Sequence, residues 1–207
     1  MGMRRSSAAA EQYENILGRT PDDAAARLGL ADCRIGEGRT AEAILLLDPL
    51  SEQPPPSPKA LFLRGKVALG RDRPAEAECW LRDAVRLAPD DLEAHYLLSQ
   101  ALRAQHKEEE AIRSARKVDQ LRKDHLRLHE LIRTIARKSD DPRSRHEAGV
   151  IALRIGRSEE GLRQLHGALQ LKGDHRATHA VLADYFRLKG DAERAETHRS
   201  LAEAPPR

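Results

Sequence analysis

Two pairs of histidines have a spacing that could support metal chemistry. His125 and His129 are four residues apart, and so are His175 and His179. On a helix this spacing places two imidazoles on one face, where neutral rings can share a zinc ion. Neither pair is followed by a third ligand at a suitable spacing, and the chain has no H-E-x-x-H motif. We therefore predict that the chain binds no metal and needs no other cofactor.

The two cysteines, Cys33 and Cys79, are far apart and form no C-x-x-C motif. This arrangement supports neither a disulfide framework nor a zinc ribbon. Because free cysteine packs as a small apolar side chain, we expect both residues to fill space in the core.

Sequence motifs of common catalytic sites are absent. The chain contains no G-x-S-x-G, no Walker-type glycine-rich loop and no dinucleotide-binding fingerprint. Those motifs position a nucleophile or bind phosphate groups. The carboxylates are plentiful but scattered, so we predict that the protein is not an enzyme.

Positive charge is concentrated in residues 121–145, which hold eight basic and four acidic side chains, although the formal net charge of the chain is only +3. On a helical wheel the apolar and basic side chains of this segment separate onto opposite halves. This arrangement is typical of the solvated face of an amphipathic helix, or of a platform for an acidic partner, and the sequence leaves both interpretations open. The apolar half holds Leu121, Leu128, Ile132 and Ile135, and the basic half holds Arg122, Lys123, Arg127, Arg133, Arg137 and Lys138.

The composition predicts an all-α protein. Of the 207 residues, 40% are hydrophobic, 33% are charged and 3% are aromatic. Ala, Leu, Arg and Glu dominate, and these residues favour helices over strands. No apolar run approaches the roughly 18 residues of a membrane helix, and the N-terminus lacks the apolar region of a signal peptide. We therefore expect a cytoplasmic protein, unless a native anchor or signal precedes Met1.

Residues of matching type recur at a spacing of 34. This spacing separates Ala77 from Ala111 and Gly156 from Gly190. Each period contains two helix-like segments joined by a short turn. Because one such pair of helices cannot bury its apolar face alone, neighbouring repeats must stack on one another.

The spacing and the small residues resemble those of the tetratricopeptide repeat (TPR) family. That family places small residues at positions 8 and 20 of each repeat, a large residue at position 24 and often glycine at position 15. In the first full repeat Gly29, Gly36, Ala41 and Leu45 occupy these positions. The resemblance implies a right-handed superhelix, an α–α solenoid of about five helix-turn-helix repeats. The repeats begin at Asp22, Pro58, Leu92, Pro142 and Arg176.

One repeat is broken. From Ala111 the next matching small residue is Gly161, 50 residues later instead of 34. We interpret residues 124–138 as a first helix that has no second helix and that caps the preceding module. A short link at Ser139–Asp141 then leads into another module. The predicted organisation is a tag or truncated half-repeat over 1–21, a first module of three repeats and the capping helix over 22–138, a second module of two repeats over 142–203, and a tail over 204–207.

The resemblance also implies a concave binding surface, which in TPR proteins is lined by positions 2, 5, 9, 12 and 13 of the first helices. Most charged members of this set are basic, which predicts an acidic partner, and Phe62 and Tyr96 would supply apolar anchors. Chaperone-tail clamps of this family need Asn at position 9, where this chain has Leu30, Lys66 and Gln100 instead. The predicted partner-binding residues are Lys59, Phe62, Lys66, Tyr96, Gln100, Arg103, Arg127, Arg137 and Lys138, with Glu93 and Glu130 as acidic members.

Three histidines, His95, His129 and His179, occupy position 4 of their repeats. The TPR family often places a large packing residue at this position. The resemblance therefore implies that these histidines pack between helices and do not bind metal.

These observations predict a non-catalytic scaffold or adaptor that binds a peptide or protein segment, acidic in character, in its concave groove. Two alternatives remain open. The basic helix within 122–145 could associate with nucleic acid, although the low aromatic content leaves few surfaces for base stacking. The half-repeat at 1–21 could instead leave an apolar N-terminal face open, which another copy of the chain would cover to form a homo-oligomer.

Overall fold

The described part of the chain consists of helices and short turns. The computed structural model describes residues 2–138 and 140–204, and it describes side chains from residue 8 onward within these ranges. No strand occurs in this part, so the all-α prediction is confirmed. The helices are α1 (Gly2–Arg19), α2 (Ala24–Gly36), α3 (Thr40–Glu52), α4 (Pro58–Gly70), α5 (Pro74–Leu87), α6 (Leu92–Ala104), α7 (Glu108–Arg137), α8 (Pro142–Arg154), α9 (Ser158–Leu171), α10 (Arg176–Leu188) and α11 (Ala192–Glu203).

Polar side chains and prolines define where many of these helices begin. Ser57 caps α4 and Asp91 caps α6, and each side chain accepts a hydrogen bond from a backbone N–H of the first turn. These caps satisfy donors that have no partner within the helix. Proline occupies the first position of α4, α5 and α8, where its missing N–H costs nothing. No helix of the described part is long and apolar enough to span a membrane.

Glycine allows the two helices of one repeat to approach closely. A Cβ atom on Gly65 would lie 2.5 Å from Cγ of Leu81, and one on Gly149 would lie 2.6 Å from Cγ of Leu165. A Cβ atom on Gly161 would meet the side chain of Leu153 at 2.7 Å. The small residues therefore have the role that the 34-residue pattern predicts: they leave room for leucines of the partner helix.

The turn between the two helices of a repeat has a left-handed residue at one fixed position. Gly156 and Gly190 have φ angles of 75° and 79°, while Asp72 and His106 adopt φ angles of 57° and 59°. Glycine reaches this conformation without strain, whereas a side chain raises its energy. The same position in the first full repeat is Gly38, with φ of 76°.

The position of Gly38 corrects the predicted start of the first full repeat. Measured from the turn, this repeat begins at Ala24 and not at Asp22, which restores the spacing of 34 to Pro58. Leu45 was predicted to fill the groove between repeats, but this residue is 72% exposed. Leu47, which is fully buried, has that role instead.

The chain divides into two compact units by its internal contacts. Unit 1 comprises Met1–Val118 and unit 2 comprises Asp119–Arg207. The boundary falls within α7, a continuous helix of 30 residues.

Unit 1 has an apolar core made mainly of alanine and leucine. Leu47, Leu61, Leu63, Leu81 and Leu102 are each at most 2% exposed. Leucines of neighbouring helices interdigitate around alanines that face the same space. Each fully buried leucine contributes about 1.5–3 kcal/mol relative to an exposed one.

In unit 2, one core cluster joins α9 to α10 through Leu165, Leu182 and Phe186. Thr178 and His179 of α10 are also buried, at 0% and 4% exposed. Unit 2 therefore includes polar side chains in its interior, and these must find hydrogen-bond partners.

The broken repeat differs from the predicted arrangement. We predicted that a separate helix over 124–138 closes the first module, but residues 124–137 continue α7, and the whole segment clusters with unit 2. No glycine or proline interrupts the chain between 108 and 137, so nothing ends the helix at the expected turn. Ser139, in the predicted link, lies outside the described residues, and the modules 22–138 and 142–203 stay a prediction.

The prediction that both cysteines fill the core is wrong for Cys79. Cys33 is half-buried on α2, whereas Cys79 is exposed on α5. Cys79 precedes Trp80 on α5, and the buried side of that helix carries Ala77, Leu81 and Ala84 instead.

Candidate partner-binding surfaces

The predicted binding residues fall into two sets, one in each unit. The first helices of unit 1 are α2, α4 and α6, and α4 contacts both of the others. They carry Lys59, Phe62, Lys66, Tyr96, Gln100 and Arg103, while Arg127, Arg137 and Lys138 belong to unit 2.

Phe62 does not offer its ring to a partner. Only 3% of the residue is exposed, and it belongs to the core of unit 1. The Lys59 ammonium lies 4.4 Å from the centroid of this ring, a cation–π contact. The expected anchor role of Phe62 is therefore corrected: Phe62 supports the surface, and Lys59 is the exposed group above it.

Lys66 forms an ion pair across two repeats. Its Nζ lies 2.9 Å from Oδ1 of Asp32, and both side chains are substantially exposed. Asp32 precedes Lys66 by 34 residues, so the two occupy the same position of successive repeats. An exposed pair of this kind contributes about 0–1 kcal/mol, and an acidic ligand could displace Asp32 at little cost.

Three residues of α6 form an exposed line. Tyr96, Gln100 and Arg103 are spaced by four and three residues, which places them on one side of the helix. Tyr96 is 49% exposed. Among the described residues Arg103 has no acidic partner within ion-pair distance. We call Lys59, Lys66, Tyr96, Gln100 and Arg103 the first-helix face of unit 1.

Arg127 already has partners within unit 2. Its Nε and Nη2 donate to the two carboxylate oxygens of Glu147 at 2.7 and 3.0 Å, and Glu130 lies 3.4 Å away. The hydrogen bonds to Glu147 raise the pKa of Arg127 above its ordinary value. This contact joins α7 to α8, so Arg127 has a structural role and its charge is largely matched.

Arg137 is the last residue of α7 and Lys138 follows it, and both are exposed. Arg137 has no ion-pair partner in the part of the chain that the structure describes. Lys138 lies near Asp141 and contributes to lowering the pKa of that carboxyl, whose largest cause is the hydrogen bond from Ser144. These two residues keep the basic character that the sequence predicts for this segment.

The apolar face predicted for residues 121–135 is confirmed. Leu121, Leu128 and Ile135 are buried, and Ile132 is partly buried. Sequence reasoning missed Asp124, which is also buried on this side of α7. Its Oδ1 accepts a hydrogen bond from Gln120 at 3.0 Å and lies 3.4 Å from the Arg154 guanidinium.

The predicted packing role holds for two of the three histidines. His179 is buried, and His95 is partly buried with its Nε2 donating to the carbonyl of Pro89 at 3.1 Å. Burial lowers the pKa of His95. The prediction is wrong for His129, which is exposed because the continuous α7 turns it away from Leu121 and Leu128.

Neither histidine pair is arranged as a metal site. His125 donates through Nδ1 to the carbonyl of Leu121 at 2.8 Å, while His129 faces solvent. Throughout the described ranges, no three side chains of histidine, cysteine, aspartate or glutamate are grouped to hold a metal ion.

Sequence reasoning missed a histidine cluster in unit 2. Its side chains form two contacting sets that come from three helices and one helix cap: His146, His175 and Thr178 in one, and His179 and His198 in the other. The available signal was compositional, because five of the nine histidines lie between residues 146 and 198.

Two family models match the sequence, and both matches lie within unit 1. A model described as tetratricopeptide repeat matches residues 1–67, and one described as anaphase-promoting complex, cyclosome, subunit 3 matches residues 36–118. Residues 1–67 of the chain therefore match tetratricopeptide repeats, which act as scaffolds for protein–protein interaction.

Solved structures with similar architecture include two of MamA. One is MamA 41-end from Desulfovibrio magneticus RS-1, with 17% identity and a TM-score of 0.50; the match covers 83% of this chain and 89% of the MamA chain. The other is the MamA RS-1 ArsTM double mutant, with 18% identity, a TM-score of 0.50 and coverages of 82% and 87%. At this identity the likeness shows only the fold, a solenoid of helical repeats. No curated protein matches the chain.

Proposed function

We propose that the first-helix face of unit 1 binds a peptide or protein segment of acidic character, and that the protein acts as a non-catalytic adaptor. The observation that carries this proposal is the exposed line of Tyr96, Gln100 and Arg103 on α6. It combines a half-exposed aromatic ring, an amide and a guanidinium that has no acidic partner among the described residues.

The chemistry of this face favours an acidic segment with an apolar side chain. Arg103 and Lys59 offer charges that are not neutralised by a carboxylate in the described part of the chain. Tyr96 offers a ring against which an apolar side chain can pack. Tyrosine and arginine often carry much of the binding energy at protein interfaces.

A peptide array tests the acidic preference. Peptides that contain Asp or Glu beside an apolar residue should bind, whereas the same peptides with Asn and Gln should bind at least about tenfold more weakly. Tyr96→Ala should weaken binding to every positive peptide. Equal binding of charged and neutral peptides would contradict the acidic part of the proposal.

A second candidate function is association with nucleic acid through the basic half of α7. It is supported by Arg133 and Arg137, which are exposed and have no ion-pair partner within the described residues. Phosphate binding should fall steeply as salt rises, because each neutralised phosphate releases counterions. A gel-shift titration over salt concentration tests this candidate, and no shift at low salt would exclude it.

Self-association is a further candidate, supported by the apolar surface of α1. Ile16 of this helix is 42% exposed. Sedimentation at several concentrations tests it, and Ile16→Glu should shift any dimer toward monomer. A monomer at every concentration would exclude this candidate.

A further inference from the structure

Two histidines of unit 2 contact each other directly through one nitrogen of each ring. Nδ1 of His179 lies 2.8 Å from Nδ1 of His198, and Nε2 of His179 lies 2.9 Å from the carbonyl of Gly173. A carbonyl only accepts, so Nε2 of His179 must carry a hydrogen. In the neutral ring, Nδ1 of His179 therefore accepts, and Nδ1 of His198 must donate to it. The geometry thus assigns a tautomer to both rings.

A second pair is joined through a hydroxyl. Oγ1 of Thr178 lies 3.0 Å from Nδ1 of His146 and 2.6 Å from Nδ1 of His175. The hydroxyl can accept from both imidazoles, or accept from one and donate to the other. In either arrangement it joins the two rings at neutral pH.

These contacts connect the elements of unit 2. His146 belongs to α8, His175 caps α10, Thr178 and His179 lie on α10, and His198 lies on α11. The ring centroids are 5.1 Å apart in each histidine pair. Because Thr178 and His179 are buried, water cannot easily replace a lost partner.

Full protonation opposes both contacts. A doubly protonated His179–His198 pair would place two N–H groups against each other at 2.8 Å. A doubly protonated His146–His175 pair would hold two positively charged rings 5.1 Å apart on the same Thr178 hydroxyl. Each pair can therefore accept one proton, whereas a second proton is opposed by a steric clash in the first pair and by charge repulsion in the second.

We propose that the histidine pairs make unit 2 an acid-sensitive switch. Entry of the second proton into each pair releases α10 from α8 and α11 from α10. Neutral pH keeps the pairs intact and the terminal repeat packed. Acidification opens that repeat and leaves unit 1, with its first-helix face, folded.

The surrounding charges oppose protonation overall. More arginine, lysine and histidine side chains than carboxylates face the cluster. Protonated histidines would therefore repel one another and their neighbours. The groups are Arg143 and Glu147 on α8, His166 on α9, Lys172 and Asp174 before α10, and Arg194 on α11, whose guanidinium lies over the ring of Phe186 stacked on His198.

The lowered histidine pKa values determine how the stability of unit 2 changes with pH. Burial, followed by neighbouring positive charge, lowers the pKa of His146, His175 and His198 below the ordinary value of 6.5. The folded unit therefore binds fewer protons than the opened one. The free energy of opening is largest at neutral pH and falls as the pH drops below about 6.5. For each excluded proton the opening constant rises by up to about tenfold per pH unit.

Hydrogen–deuterium exchange of the full chain at about pH 7.5 and about pH 5, corrected for intrinsic exchange, tests this proposal. Protection of α10 and α11 should fall at least about tenfold at the lower pH, while protection of α4 and α5 stays within about twofold. Unchanged protection of α10 and α11, or an equal loss in α4 and α5, would overturn the proposal.

A double variant and a matched control sharpen the test. His179→Leu with His198→Leu removes one pair and should reduce the acid-induced loss of protection in α11 at least about threefold. His129→Gln, at an exposed position of the same unit, should leave the loss unchanged. A loss in the double variant as large as in the wild type would count against the switch.

Nitrogen-detected NMR of the wild-type imidazoles gives an independent readout. At about pH 7.5, His179 should carry its proton on Nε2 and His198 on Nδ1. The opposite assignment, or rapid tautomer exchange at both rings, would contradict the proposed pair without requiring any variant to fold.

Discussion

In α4 of unit 1, Ala60 and Leu61 fill the third and fourth positions of the helix; in α10 of unit 2, Thr178 and His179 fill the same positions. All four residues are at most 4% exposed. The apolar pair packs without needing partners, whereas the polar pair depends on hydrogen bonds to His146, His175 and His198. We therefore expect acidification to weaken the repeat that contains α10 more than the repeat that contains α4.

Unit 1 has a buried ionisable group as well, but it titrates in a different range. Burial raises the pKa of Glu78, yet hydrogen bonds from Lys107, Arg82 and Gln105 outweigh this effect and lower it below 4.5. The stability that Glu78 contributes is present above about pH 4.5 and is lost as the pH falls further. Between about pH 4.5 and 6.5, acid should therefore weaken unit 2, where the pKa values of three histidines are lowered, more than unit 1, where burial lowers the pKa of His95.

The largest effect that tests this comparison concerns an apolar contact of the same kind that occurs within each unit. Leu81→Ala and Leu165→Ala remove fully buried leucines that pack on Gly65 and Gly149. Each should lower the free energy of opening of its own unit by about 2–5 kcal/mol. Hydrogen exchange measures both effects separately, and an equal loss of protection in both units from either variant would show that they unfold together.

Thr178→Val should come next in size. It keeps the shape of the side chain but removes the hydroxyl that joins His146 to His175. Leaving the half-buried His146 and His175 imidazoles without this partner should destabilise unit 2 by about 1–3 kcal/mol. Thr197→Val on the exposed face of α11 is the control and should change stability by less than about 0.5 kcal/mol. Similar losses in the two variants would argue against the buried contact.

Substitutions at the left-handed turn residues should change stability less, and in opposite directions in the two units. Gly190 has open space around its Cα, so Gly190→Ala should cost about 1–2 kcal/mol through its φ angle alone. In unit 1, His106→Gly should stabilise by up to about 1 kcal/mol, because the native residue is already strained there. Thermal unfolding checks both, and a loss of stability in His106→Gly would contradict this account.

Much of the fold could be predicted because the 34-residue spacing reports the packing of small residues against leucines. Gly65 and Gly149 illustrate this relation, since each makes room for a leucine of the partner helix. The spacing could not reveal that two predicted helices fuse into α7. Fusion depends on the absence of a helix-ending residue between 108 and 137, which leaves the apolar periodicity of the segment unchanged.

The candidate sites were less predictable because they depend on contacts between distant residues. Phe62 occupies a groove position by family pattern, but its burial and its contact with Lys59 follow from packing. Arg127 looked like a free cation until the structure placed Glu147 beside it. The histidine cluster required three helices to be assembled, and no spacing along the chain encodes that assembly.

The most direct test of the central claim is the affinity of an acidic peptide, selected on the array, for matched charge-reversal variants of unit 1. Arg103→Glu reverses a charge within the first-helix face, whereas Arg116→Glu reverses an exposed charge on α7, outside that face. Calorimetric titration should show at least about a tenfold loss of affinity for Arg103→Glu and less than about a twofold change for Arg116→Glu. Equal affinity of both variants would contradict the assignment of partner binding to this face.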